Sequence, residues 1–159
     1  MNSDERGAEV SALLAGLSSL AGRGPDFDVD AAPATPGELF EDWFHTAVRT
    51  GTPEPHAMTL STLDDRGAPD ARVLILKAFD RSGRWAFASS AASTKGQQLG
   101  THPVAALTFY WPSLARSVRI RGPVAPDTDE ASAADFRERS IGARAIALSG
   151  RQSATLDDA

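Results

Sequence analysis

An arginine and a lysine, Arg72 and Lys77, close off the apolar run Val-Leu-Ile-Leu, and a second lysine sits in Ser93-Thr-Lys-Gly96. These residue types suit a phosphate ester, because a guanidinium fork and an ammonium both form charge-assisted hydrogen bonds with phosphate oxygens. Strand side chains alternate, so Val73, Ile75 and Lys77 share one face while Arg72, Leu74 and Leu76 share the other. On this segment alone, two solvated cations at the ends of a strand explain Arg72 and Lys77 equally well. Lys95 falls in the first turn of a helix that Ser93 can cap, where free backbone N–H groups add donors for the same anion.

Other chemistries are poorly supplied. The chain has no cysteine, which removes disulfides, thiolate catalysis and Cys-type zinc sites. His45, His56 and His102 stand apart without ligand spacing, so no metal site is expected. No acid–base or nucleophilic residue can be named as catalytic. A net charge of −5 opposes a general nucleic-acid surface, so any anion site must be a local cluster of cations. No apolar run reaches the length of a membrane span, and Met1-Asn-Ser-Asp-Glu-Arg6 lacks a signal-peptide pattern; the expected location is the cytoplasm.

The elements that position these cations can be read from periodicity. At 159 residues the chain is most simply one core-forming domain, residues 36–159, preceded by an N-terminal helix and a mobile connector over residues 1–35. Residues 3–22 read as an amphipathic helix with Val10, Leu13, Leu14, Leu17 and Leu20 on one stripe. Residues 22–35 are rich in Gly, Pro, Asp and Ala. Thr35-Pro-Gly-Glu38 then carries an N-cap, a proline at the first helical position and a glutamate three residues after the cap. The helix it starts should bury Leu39, Phe40, Trp43, Phe44, Ala47 and Val48 and end near Thr50-Gly51.

From Ala57 the period changes to two. Strands are expected at Met58–Leu63, Ala71–Ala78, Trp85–Ser89, Val104–Trp111 and Ser117–Val124, with a short helix from Ser93 through Leu99 and a further helix at Asp127–Arg139. Five or six closely spaced strands with short helices predict a mainly β, α+β fold: a small β-barrel with helical decoration. Trp43, Phe40 and Phe44 read as core by their helical spacing, and Trp85 and Phe87 as core by alternation. Tyr110-Trp111 reads as packing or a dimer contact, and Arg119 and Arg121 as one solvated strand face.

The order and spacing of these segments resemble the pyridoxamine 5′-phosphate oxidase family, FMN-dependent enzymes built on a split β-barrel. The resemblance runs from about residue 36 to residue 153. It rests on Leu39-Phe-Glu-Asp-Trp43, Glu54-Pro-His-Ala-Met58, Arg72-Val-Leu-Ile-Leu-Lys77, Ser93-Thr-Lys-Gly96, His102-Pro103, Tyr110-Trp111 and Gln152-Ser153. It implies FMN contacts at Arg72, Val73, Leu74, Leu76, Lys77, Ser89, Thr94, Lys95, Ser117, Gln152 and Ser153. By the same likeness Arg72 and Lys95 lie at the phosphate, Lys77 near the ring and substrate, and Gln152-Ser153 at the flavin, often across the subunit interface. It implies substrate contacts at Lys77, Asp135, Arg139 and Ala143.

The departures from the family pattern shape these expectations. Thr94 stands where the family usually has an arginine, Ser117 where it has a glutamine, and Ala88 where it has an aromatic residue. Asp135 and Ala143 replace a tyrosine and a serine that grip the substrate phosphate. Family members normally continue for some tens of residues past the Gln-Ser pair, so the family's C-terminal segment is expected to be lacking. The resemblance thus implies a homodimeric FMN oxidase with hydride transfer from a small-molecule substrate to flavin N5. Molecular oxygen would then reoxidise the flavin and give hydrogen peroxide. Two alternatives stay open: a same-fold oxidase of a secondary metabolite of phenazine type, and a non-catalytic flavin-binding dimer module.

Overall fold

The structure, a computed structural model, describes residues 2–20, 24 and 26–138. Its elements run α1 (Ser3–Gly16), α2 (Pro36–Arg49), β1 (Ala57–Leu63), β2 (Pro69–Phe79), β3 (Trp85–Phe87), α3 (Thr94–Thr101), β4 (Val104–Trp111), a single 3₁₀ turn (Pro112–Leu114), β5 (Arg116–Pro123) and α4 (Asp129–Glu138). The five strands form one antiparallel sheet in the order β3-β2-β1-β4-β5. The mainly β, α+β class read from the period-two segments is the one observed.

Local chemistry explains the helix that closes the sheet. Thr35 accepts from the Glu38 backbone N–H at 3.3 Å while the Glu38 carboxylate accepts from the Thr35 N–H at 3.2 Å, so two otherwise orphaned donors at the start of α2 are satisfied. From this fixed start α2 lays Phe40 and Ala47 into the core, with Trp43 and Phe44 partly buried beside them. Phe40 is the hub: its ring centroid lies 4.5 Å from that of Trp85, 4.9 Å from Phe79, 5.2 Å from Phe109 and 5.9 Å from Trp111. Most of these pairs are edge-on or tilted, the arrangement the ring quadrupole favours. Trp111 is buried and donates its indole N–H to the Pro55 carbonyl at 3.0 Å, which closes the one polar vacancy such a ring would leave.

Four expectations change. Val48, placed in the core by helical spacing, is 53% exposed, because it lies one position round the helix from Ala47, which takes the core-facing place in the last turn of α2. The N-terminal helix stops at Gly16 rather than continuing to residue 22, and Val10, Leu13, Leu14, Leu17 and Leu20 are each more than half exposed. β2 starts two residues earlier than the expected Ala71, at Pro69, because Ala71, Asp70 and Pro69 keep pairing with Ser61, Thr62 and Leu63. β3 ends at Phe87, two residues before Ser89. Ahead of α2, Phe27 packs edge-on against Trp43 with centroids 5.6 Å apart, and Arg116 lies over both rings.

Candidate functional site

Alternation along β2 decides which cation meets which neighbour. Arg72 shares a face with Leu74 and buried Leu76, so its side chain enters the sheet's inner side at the end away from the aromatic core. There it meets Thr62 of β1 and Gln98 of α3, both buried. Nη1 donates to Thr62 Oγ1 at 2.5 Å and to the Leu60 carbonyl at 3.4 Å. Nη2 donates to Gln98 Oε1 at 2.9 Å and makes a short ion pair with Asp70. Gln98 is itself engaged at both ends: Oε1 also accepts from Thr62 Oγ1 at 2.6 Å, and Nε2 donates to Asp70 Oδ2 at 2.9 Å. Thr62 and Gln98 are buried and Arg72 is half-buried, so a slip among these three leaves a desolvated polar group without a partner; Asp70 closes the network at its exposed edge.

The first turn of α3 brings in the second cation. Ser93 caps the helix by accepting from the Gly96 N–H at 3.3 Å. A side chain at Gly96 would run into the Ser90 and Ala91 carbonyls, so the glycine lets this turn lie directly on the preceding loop. Lys95 is thereby held at 7% exposure, and its Nζ donates to Ser93 Oγ at 3.3 Å, its one hydrogen-bond partner among the described residues. Burial, and then the positive charge of Arg72 nearby, push the Lys95 ammonium below the usual lysine range. Asp70, Ala71, Arg72, Thr94 and Lys95 line an open cavity of about 240 Å³. The Asp70 carboxyl is held below the usual carboxylate range, first by the Gln98 amide and further by Arg72, so it is charged at neutral pH.

The other end of β2 differs. Between Leu76 and Ala78 the pairing with β3 slips, so Lys77 is the extra residue of a β-bulge. A bulge bends its strand and re-aims a side chain. Lys77 is exposed and, with Phe44, His56, Leu76, Ala78 and Phe79, lines a second cavity of about 280 Å³.

The structure therefore brings Arg72, Thr94 and Lys95 together and puts Lys77 at a separate cavity on the same strand. Ser89 lies just outside, its Oγ 3.4 Å from Ser93 Oγ. Val73 is 67% exposed on the outer face, while Leu74 and Leu76 pack inward against the core. Ser117, on β5, pairs with Tyr110 of β4 and lies three strands from β2, which is on the order of 14 Å at the usual strand spacing; within one chain it does not reach the Arg72 cavity. Asp135 belongs to α4, but its side chain, together with Arg139, Ala143, Gln152 and Ser153, lies outside the described residues. Among the described residues no group of three or more His, Cys, Asp or Glu could hold a metal, and no helix is long and apolar enough to cross a membrane.

Sequence reasoning missed Asp70, Thr62 and Gln98. A signal existed for two of them: Asp70 stands two residues before Arg72, hence on the same strand face, and Gln98 stands three after Lys95, hence on the same helix face.

Comparison with known proteins follows the same outline. A family model described as Pyridoxamine 5′-phosphate oxidase matches residues 44–159. A pyridoxine/pyridoxamine 5′-phosphate oxidase of Pseudomonas fluorescens strain SBW25 is 45% identical over 129 residues, 80% of this chain and 60% of the relative. One of Bradyrhizobium sp. strain BTAi1 is 45% identical over 122 residues, 77% of this chain and 56% of the relative. The chain thus spans about 60% of the length of the curated relatives it matches. Among solved structures, PhzG from Burkholderia lata 383, in complex with tetrahydrophenazine-1-carboxylic acid, superposes with a TM-score of 0.79 at 26% identity, covering 86% of this chain and 68% of that one. A pyridoxamine 5′-phosphate oxidase-related, FMN-binding protein from Nostoc punctiforme superposes with a TM-score of 0.59 at 21% identity, over 70% of this chain and 62% of that one, and shares the fold. The fold is the FMN-binding split β-barrel.

Proposed function

This chain belongs to the pyridoxamine 5′-phosphate oxidase family, and from that membership we propose that it binds FMN with the flavin phosphate in the Arg72–Lys95 cavity and serves a flavin-dependent oxidase. The observation that carries the reading is Lys95: an ammonium at 7% exposure, beside a guanidinium, with a hydroxyl as its one hydrogen-bond partner among the described residues. A buried cation without its own anion is costly, and a phosphate ester is an anion of the right size. The cavity of about 240 Å³ takes a phosphate group but not a whole flavin, for which pockets of roughly 300–1,000 Å³ are usual, so the ring must lie outside it.

In this reading Arg72 and Lys95 neutralise the phosphate, and the Thr94 side chain and the first N–H groups of α3 border it. Val73, Leu74, Leu76 and Lys77 lie along the flavin, Ser89 adds a hydroxyl near the phosphate, and Ser117, Gln152 and Ser153 complete the contacts, some of them from a second copy. When bound, FMN supplies two-electron oxidation of the substrate, with oxygen as final acceptor and hydrogen peroxide as product. Lys77, Asp135, Arg139 and Ala143 are the substrate side. The protein is proposed to be a cytoplasmic homodimer whose second copy covers the outer sheet face bearing exposed Val73 and Tyr110.

A second substrate reading, oxidation of a reduced phenazine-type metabolite, is favoured by the likeness to PhzG and by Asp135 and Ala143, which replace phosphate-binding residue types. Titrating FMN and following flavin fluorescence tests the cofactor site. Arg72→Ala and Lys95→Ala should each weaken FMN by about ten- to a hundredfold, the scale of one lost charge-assisted hydrogen bond. Unchanged affinity in both variants would remove the phosphate assignment. Turnover of pyridoxamine 5′-phosphate against a tetrahydrophenazine carboxylic acid separates the two substrate readings.

A further inference from the structure

The guanidinium of Arg72 has no terminal N–H left for a ligand. A guanidinium carries four terminal N–H groups, and the four acceptors are Leu60 O, Thr62 Oγ1, Gln98 Oε1 and Asp70 Oδ2. A phosphate that uses these donors must therefore displace an acceptor. Three of the four cannot leave at reasonable cost. Leu60, Thr62 and Gln98 are at 0%, 2% and 8% exposure, and withdrawing any of them strands a desolvated polar group.

Asp70 is different in three respects. Its side chain is 44% exposed, so it can turn to water. It lines the cavity together with Lys95 and Thr94. And among the described residues it is the one acidic side chain that lines this cavity.

We propose that the Asp70 carboxylate is an internal stand-in for the ligand's phosphate, and that the incoming anion replaces it on Arg72. The inference rests on the phosphate reading of this cavity given above. The exchange conserves hydrogen bonds: Asp70 Oδ2 holds one N–H of Arg72 Nη2 and one of Gln98 Nε2, and a phosphate oxygen in its place inherits both donors. Gln98 thereby becomes a direct ligand of the phosphate, although in this structure it faces the carboxylate. The carboxylate also lowers affinity, because each binding event must break an ion pair and move a like charge aside. Without a bound anion the same carboxylate neutralises Arg72 beside the buried Lys95 cation.

The test is an FMN titration of the full chain, with riboflavin as the phosphate-free probe, for the wild type, Asp70→Asn, Asp70→Ser and Arg72→Ala. Asparagine keeps an acceptor for Arg72 and removes the charge; serine removes the carboxylate altogether and covers the case in which one variant folds poorly. The expected result is FMN binding about three- to tenfold tighter in both Asp70 variants, with riboflavin unchanged and the gain shrinking as salt rises. Asp70 variants that bind FMN no better than wild type, while Arg72→Ala weakens it, would overturn the displacement and leave the phosphate cavity standing. If Arg72→Ala also leaves FMN affinity unaltered, the cavity does not take the phosphate and both assignments fall.

Discussion

The two ends of β2 carry one cation each and hold it by opposite means. Arg72 sits where the pairing with β1 is regular, opposite Leu60, and four acceptors from three elements immobilise its head group. Lys77 sits where the pairing with β3 slips, and the backbone irregularity itself decides where its stem points. One end is rigid because its head group is held by four acceptors, three of them buried; the other is directed but exposed. A phosphate, which stays put through a catalytic cycle, suits the first. A substrate that must arrive and leave suits the second.

Breaking the rigid end should have the largest effect. Gln98→Leu leaves Thr62, Arg72 and Asp70 each short of a partner, so it should destabilise the chain by about 2–4 kcal/mol, the sum of one or two unsatisfied buried groups. It should also weaken FMN by more than tenfold; chemical denaturation and flavin fluorescence read the two effects separately. A variant as stable as wild type would mean that the network is not what fixes Arg72.

The exposed end predicts the contrast. Lys77→Ala should change stability by less than about 0.5 kcal/mol, as surface substitutions do. It should raise the substrate KM while moving FMN affinity less than Arg72→Ala does. Equal losses of FMN in the two variants would erase the distinction between the ends.

A gain of function sharpens it further. Thr94 is exposed at the rim of the Arg72 cavity, so Thr94→Arg adds a cation without disturbing packed atoms. FMN should bind about fivefold tighter, on the scale of one partly screened charge. No gain at low salt would place the phosphate elsewhere.

The smallest effect is in pH. Because the Lys95 ammonium is held below the usual lysine range, the unfolded chain binds more protons than the folded one between the lowered pKa and 10.5. Stability without ligand should therefore rise with pH across that window. FMN affinity should move the other way, full while Lys95 is charged and falling as pH passes its lowered pKa. Lys95→Met should flatten both profiles above neutrality, measured by thermal melts and fluorescence titration.

Much of the scaffold was legible because it depends on neighbours in the chain. The Thr35–Glu38 capping box and the Ser93 cap are contacts across three residues, and both form as the spacing predicts. The face alternation of β2 follows from strand geometry and held from Arg72 to Leu76. It broke at Lys77, where the bulge depends on how β3 pairs, and nothing in the apolar run Val-Leu-Ile-Leu announces that. The α1 stripe illustrates the converse: apolar residues at helical spacing establish that a face exists, but Leu13 and Leu17 are 64% and 71% exposed because burial needs a partner surface.

The cations and their types came from the sequence alone, because charge and hydrogen-bonding capacity belong to a residue wherever it is placed. Which of them share a cavity is a matter of tertiary structure. Arg72 meets Gln98 across 26 positions and Thr62 across 10, and those meetings exist because α3 settles on β1 with Gly96 flush against the preceding loop. Asp70, two residues from Arg72, was within reach of the sequence as a neighbour. That it occupies the anion's seat follows only once the other three acceptors are seen to be buried.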